Sequence, residues 1–401
     1  MTTLRVLLHV AAQHNYELHS LDFSTAFLQG SLHEDIWLRR RPGFTRSFPP
    51  GTQWSLRRPV CGLRQAHREW QDTLRTTFAA LGFAPSTADP SLFLRTDTSL
   101  PPFYILVYVD DLVFATADTA GLAHVKSELQ KRHTCTDLSE LRSYLGLQIT
   151  RDRAQRTITL TQSHMVQQVL QRFDFTYSSP QATPLSTRHS LSALPSDESV
   201  EPSGLYPKLV GCLMYLMTCT RPDLAYPLSI LARYVAPGRH RPEHMAAAKR
   251  VLRYLCSTSG LGLVLGGRRP VVLTGHADAS WADDQATQRS SQGHTFSLGS
   301  GSASWRSTRS SSVLGSSFLY VDNKAMLALC REHKLEHRTK HIALRYFLAR
   351  ELQQRGQLRL AYVASEANTA DIFAKALLPG DHQRFCTMLG LVPTWHHLLT
   401  S

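Results

Sequence analysis

The chain has 401 residues, enough for two or three domains with real cores, and its 42% hydrophobic and 19% charged content describes a globular protein rather than a disordered tail. A net charge of +13, from 44 Lys+Arg against 31 Asp+Glu, favours a polyanion partner, most often nucleic acid. Seven scattered cysteines with no CxxC pair argue against a disulfide frame or zinc site, and no apolar run approaches the roughly 20 residues that span a bilayer.

In chain order, "TTLRVLLHVAAQ" reads as an amphipathic helix with Leu4, Leu7, Leu8, Ala11 and Ala12 on one face. A strand enters "LHSLDFSTAFLQG", a helix follows around "HREWQDTLRTTFAALGF", and "SLFLR" and "YILVYVDDLVFAT" read as a strand and a hairpin. The helix "TAGLAHVKSELQKRH" and strand "YLGLQIT" close an α+β region over 1–150. Residues 151–265 read as mainly helical, interrupted by the Ser/Pro-rich loop Ser178–Ser203. From 266 onward strands return in "PVVLTGHADASWA", "GHTFSLGS", "SASWRST" and "FLYVDN", followed by helices, as a second α+β domain over 266–380 with a tail over 381–401. No secretory signal is visible, so an intracellular location, cytoplasmic or nuclear, is expected, with no membrane partner.

The acidic residues carry the chemistry. Asp110 and Asp111 interrupt an apolar hairpin and read as its two-residue tip, although Asp-Asp is a poor tight turn and like charges repel. On the hairpin alone, a solvated turn explains them equally well. Asp22, leaving a short strand in "HSLDFSTAF", is a third acid in similar company. Three carboxylates at one sheet edge would suit two Mg²⁺ (or Mn²⁺) ions about 3.5–4 Å apart, as phosphoryl-transfer sites use.

The stretches "LDFSTAFLQGSLHEDIWLRRRPGF", "VCGLRQAHREW" and "YVDDLVFAT", in this order, resemble the reverse transcriptase of copia-type LTR retrotransposon Pol polyproteins. The resemblance implies a palm over 1–150 and a helical thumb and connection over 151–265. It also implies RNA-directed DNA polymerase chemistry on a dNTP, an RNA template and a DNA primer. Asp22, Asp110 and Asp111 would be the catalytic, metal-binding carboxylates. Phe27 falls where the family carries an aromatic residue that crowds a nucleotide's 2′-hydroxyl, though an ordinary core phenylalanine fits the sequence as well. Gln65 would lie near the incoming base and template. Cys61 and His67 depart from the family, which carries tyrosine and proline there.

The last α+β domain resembles the ribonuclease H of the same elements, in "HADASWADD", "LYVDNKAM" and "ANTADIFAKAL", which supply Asp278, Asp322 and Asp371. The helix in "HRTKHIALRYFLARE" would place Arg338, Lys340 and Arg345 along an RNA–DNA hybrid, unless it is simply a solvated face. Ribonuclease H needs a glutamate on a helix between its third and fourth strands. Between Asp284 and Asp322 this chain has no Asp or Glu, and "SSSVLGSS" has neither apolar period nor helix propensity. Loss of RNA cleavage is therefore expected. The sequence also starts just before the first catalytic strand, without the basic segment that grips the triphosphate in the family, so polymerisation is expected to be defective as the chain stands. The alternative expectation is a catalytically inactive, nucleic-acid-binding remnant of a transposable element.

Overall fold

Alternating apolar residues build the first sheet: Leu21 and Phe23, Phe103 and Ile105, and Leu112 and Phe114 each sit two apart and share one buried cluster. The computed structural model describes residues 1–39, 53–188, 191, 204–236, 238–280, 289–309, 320–321 and 361–394. The chain divides into two units, His14–Tyr144 and Met1–Gln13 with Leu145–Ser401.

In the His14–Tyr144 unit six strands lie in the order Phe83–Pro85, Leu92–Arg95, Phe103–Tyr108, Asp111–Thr116, Glu17–Phe23 and Cys135–Glu140. Each neighbouring pair is antiparallel. Two helices cover the apolar face. Ala66–Ala80 contributes Trp70, Leu74 and Phe78, spaced by four, and Thr119–Arg132 contributes Leu122, Val125 and Leu129. The second helix starts where the Asp118 carboxylate accepts the Gly121 backbone N–H at 2.8 Å, and it ends on Lys131 and Arg132, whose charges suit the helix C-terminus.

In the other unit the helix Thr2–Gln13 buries Leu4, Leu7, Leu8, Ala11 and Ala12, as its sequence predicts, and also Arg5 and His9. Arg5 is only 3% exposed. Its guanidinium donates to the carbonyls of Ala303, Thr218 and Cys219 at 2.7, 2.8 and 3.0 Å and lies 3.9 Å from the Trp305 ring centre. Burial pulls its pKa down to about 10, still charged at neutral pH. These bonds explain why the first helix belongs with residues far along the chain and not with the strand that follows it.

The region expected to be mainly helical also contains strands. Leu147–Asp152, Thr157–Thr161 and Leu261–Gly266 pair antiparallel in that order, and Leu391–Pro393 joins the last of them. "TITLT" alternates β-branched and apolar residues, a period-2 signal that the neighbouring helix Ser163–Arg172 obscures. The helices Ser163–Arg172, Leu205–Cys219, Ala225–Leu231 and Pro242–Ser257 pack through one apolar cluster. Within it lies a closed ion pair, Arg221–Asp223, at 2.7 Å. A third sheet runs Ser302–Arg309, Ser291–Ser297, Thr274–Ala279, Tyr320–Val321 and Ala361–Tyr362, its first three strands antiparallel and the last two joined in parallel. The stretch read as a tail carries most of a helix, Pro379–Met388, and the strand Leu391–Pro393.

Burial holds the imidazoles of His9, His244, His276, His294 and His382 below their ordinary pKa. Each takes up a proton more readily once unfolded, so their contribution is fully present above about pH 6.5 and is lost as pH falls towards the folded values. Urea midpoints should therefore drop between pH 7.5 and 5.5. Equal midpoints would show that these rings protonate in place at no cost.

Candidate active site

Strand register brings the first three acids together. Asp22, next to last on Glu17–Phe23, pairs directly opposite Asp111, the first residue of Asp111–Thr116. The hairpin differs from the expected Asp-Asp tip. Tyr108 pairs with Asp111, which leaves Val109 and Asp110 as the two-residue loop and Asp111 in the strand. The shift places positive φ, which tight hairpins need at their first loop position, on Val109 at 57°.

A β-branched residue there costs on the order of 1–3 kcal/mol and persists only when its surroundings hold it. Two bonds do so. The Trp70 indole N–H donates to the Val109 carbonyl at 2.6 Å, and the Phe23 backbone N–H donates to the Asp110 carbonyl at 2.8 Å. Trp70 is fully buried, edge-on to Phe23 at 5.0 Å. Sequence reading missed this positioning role, because the only local signal is an aromatic at a core position of its helix.

A cavity of about 340 Å³ opens beside the loop, lined by Phe27, Leu28, Val60, Cys61, Val109 and Asp110 among others. Thr25, a second residue in left-handed geometry at φ 54°, is also in its wall. Phe27 therefore faces the same space as Asp110 while packing against the core. Gln65 is not part of that wall: its amide donates to the Glu34 carboxylate at 2.9 Å. His67 lines a separate cavity of about 250 Å³ with Trp70, Tyr108 and Val109.

The three carboxylates repel one another. Burial raises the pKa of Asp111, and the charges of Asp110 and Asp22 raise it further. The phenol of Tyr144 is likewise pushed up, by burial and then by Asp111, and its buried hydroxyl has no hydrogen-bond partner. Among the described residues no group of three His, Cys, Asp or Glu is assembled closely enough to hold a metal ion. The arrangement is thus a set of adjoining acids under mutual repulsion, a donor set suited to a hard divalent cation that would draw it together.

The second acidic group sits in the other unit. Asp278 lies on Thr274–Ala279, and Asp371 opens the short helix Asp371–Ala374, both almost buried. Gly293 makes their approach possible: a Cβ there would fall 2.4 Å from the Phe373 Cβ. The Lys375 ammonium lies 2.8 Å from Asp371 and 3.6 Å from Asp278. Burial, reinforced by the charge of Asp278, pushes Asp371 up to about 7 in spite of its bond to Lys375. Asp322, Arg338, Lys340 and Arg345 lie outside the described residues.

A family model for reverse transcriptase (RNA-dependent DNA polymerase) matches residues 1–187. The chain is similar to the retrovirus-related Pol polyprotein from transposon TNT 1-94 of Nicotiana tabacum, 30% identical over 97% of this chain and 32% of that protein. It is similar to that from transposon RE2 of Arabidopsis thaliana, 31% identical over 98% of this chain and 29% of that protein. A transposon Ty5-1 protein of Saccharomyces cerevisiae is 30% identical over 73% of this chain and 94% of its own length. The chain spans about a third of the two Pol polyproteins. Their alignments run to 427 residues, more than the 401 present here, so those relatives carry stretches that this chain skips.

Proposed function

The chain belongs to the reverse transcriptase (RNA-dependent DNA polymerase) family of copia-type transposon Pol polyproteins, and we propose that its His14–Tyr144 unit carries a nucleotidyl-transfer site of the two-metal kind. The observation that supports this most is the register setting Asp22 opposite Asp111, with Asp110 beside the cavity that Phe27 lines. Asp22, Asp110 and Asp111 would hold Mg²⁺ or Mn²⁺, which when bound activates a primer 3′-hydroxyl and stabilises the leaving pyrophosphate. Phe27 closes the cavity against a 2′-hydroxyl and so favours dNTPs. Trp70 keeps Asp110 aimed by holding the strained loop. Gln65, tied to Glu34 here, would have to exchange that bond to reach a template base.

We further propose that the reaction is impaired as the chain stands and that the ribonuclease H-like region does not cleave. Cys61 leaves the cavity wall short where the family has a tyrosine. In the second unit only ten residues, 310–319, separate the strands Ser302–Arg309 and Tyr320–Val321, fewer than the dozen or more that a crossover normally takes, and none is acidic. Arg338, Lys340 and Arg345 are proposed to contact hybrid phosphates on the strength of the resemblance alone.

Primer extension on an RNA template with a DNA primer tests the reading. Slow, Mn²⁺-stimulated extension is expected from the chain, faster extension from Cys61→Tyr, and none from Asp110→Asn. Extension that survives Asp110→Asn would overturn it. The +13 charge favours a second reading, a silent nucleic-acid-binding remnant, which no extension together with steeply salt-sensitive hybrid binding would establish.

A further inference from the structure

Strand Cys135–Glu140 is the last of its sheet and pairs irregularly with Glu17–Phe23. Ser139 lies opposite Ser20, but Asp137 lies opposite Leu21, so Leu138 is an extra residue in a β-bulge one step before Asp22. We propose that Lys126, on the helix Thr119–Arg132, is a positioning residue that holds this bulge and so keeps Asp137 off the sheet face on which Asp22 stands. The consequence for metal affinity rests on the proposed two-metal reading; the register does not.

The bulge is unfavourable on local grounds. Ser139 takes left-handed geometry at φ 61°, and Leu138 is left 51% exposed. A regular ladder continued from Ser20 and Ser139 would set Leu138 opposite Leu21 and Asp137 opposite Asp22. Leu21 belongs to the buried cluster with Leu122, Val125 and Leu129 of the same helix as Lys126, so that slip would cover the leucine. It would also line up a fourth carboxylate with Asp22 and Asp111. Repulsion among the acids opposes the slip, but a divalent ion bound to them would cancel that opposition. A restraint independent of the acids is needed.

Lys126 supplies it from the helix side. Its ammonium donates to the Asp137 carboxylate at 2.7 Å and to His19 Nδ1 at 2.8 Å, which ties the bulged strand to its neighbour. The same Asp137 oxygen accepts the Ser139 backbone N–H at 2.8 Å, across the bulge itself. The Lys126 side chain is only 9% exposed, so these bonds are little screened by water. Burial works against the Asp137 charge, yet Lys126 and the Ser139 N–H outweigh it and hold its pKa below the usual carboxylate value. Burial, and then the Lys126 charge, lower the pKa of His19, which keeps Nδ1 free of a proton and able to accept. In the slipped register Asp137 would leave the helix face, and Lys126 would lose its counter-charge.

The test uses the full chain carrying Leu138→Cys, with alkylation of the introduced thiol read by peptide mass spectrometry and Mn²⁺ binding read by electron paramagnetic resonance. Adding Lys126→Met is expected to slow alkylation about tenfold, because the slipped residue is covered by the helix. It is also expected to tighten Mn²⁺ binding about tenfold through the added carboxylate, an effect that simple loss of structure would not produce. Asp137→Ala is expected to slow alkylation likewise without tightening Mn²⁺ binding. It lies on the exposed edge strand and carries the register test should Lys126→Met fail to fold. Unchanged alkylation overturns the proposal. Slowed alkylation with Mn²⁺ affinity equal or weaker in Lys126→Met overturns the positioning role. No specific Mn²⁺ binding before either substitution overturns the two-metal reading instead, and alkylation still decides the register.

Discussion

Asp223→Ala is expected to lower the unfolding free energy by about 3–5 kcal/mol, because it leaves a guanidinium buried without its counter-charge. Arg221 and Asp223 are 2% and 0% exposed, and the guanidinium grips both carboxylate oxygens, at 2.7 Å through its terminal nitrogen and 3.0 Å through Nε. The Tyr254 hydroxyl donates to the same carboxylate at 2.7 Å, and Arg221 also reaches the Thr258 carbonyl at 2.9 Å. Burial works against both charges, yet each outweighs that effect on the other, so Arg221 is held above and Asp223 below its ordinary value. The pair is costly to break and less costly to replace. Arg221→Met/Asp223→Leu should lose much less than the single substitution, since neither charge then needs desolvation. Urea unfolding of the three proteins decides it, and an Asp223→Ala midpoint equal to the parent's would show that water or a shifted side chain neutralises Arg221.

Lys375→Ala should lower stability by about 1–2 kcal/mol and create a weak Mn²⁺ site. The first figure is modest because Lys375 is itself 42% exposed and solvent screens part of its attraction. The second effect follows from position: the ammonium stands between Asp278 and Asp371, where a divalent ion would have to sit. With it gone, two nearly buried carboxylates face each other, and Mn²⁺ should restore the lost stability with the logarithm of its concentration once that exceeds the dissociation constant. Unchanged stability, or a loss that Mn²⁺ leaves untouched, would show that the lysine is not the cation of this pair.

Much of this was legible in the chain because period-2 and period-4 patterns report burial directly. Leu21/Phe23 and Leu112/Phe114 mark strands, and Leu4, Leu7, Leu8, Ala11 and Ala12 mark a helix, whichever partner they meet. What stayed hidden depends on partners distant in sequence. Nothing around Arg5 reveals that three carbonyls more than 200 residues away will accept from it. Likewise, the placing of the hairpin loop on Val109 follows from pairing Tyr108 with Asp111 and from the bond of Trp70, neither of which is a local property. The acids of the candidate site were found for the opposite reason: charge inside an apolar strand is conspicuous without any knowledge of its neighbours.

The most direct test of where this chain holds divalent ions is Mn²⁺ binding, followed by electron paramagnetic resonance, on the full chain and two double variants. Asp22→Asn/Asp110→Asn is expected to abolish specific binding, and Asp278→Asn/Asp371→Asn to leave it unchanged. Binding that survives the first pair of substitutions and disappears with the second would contradict it.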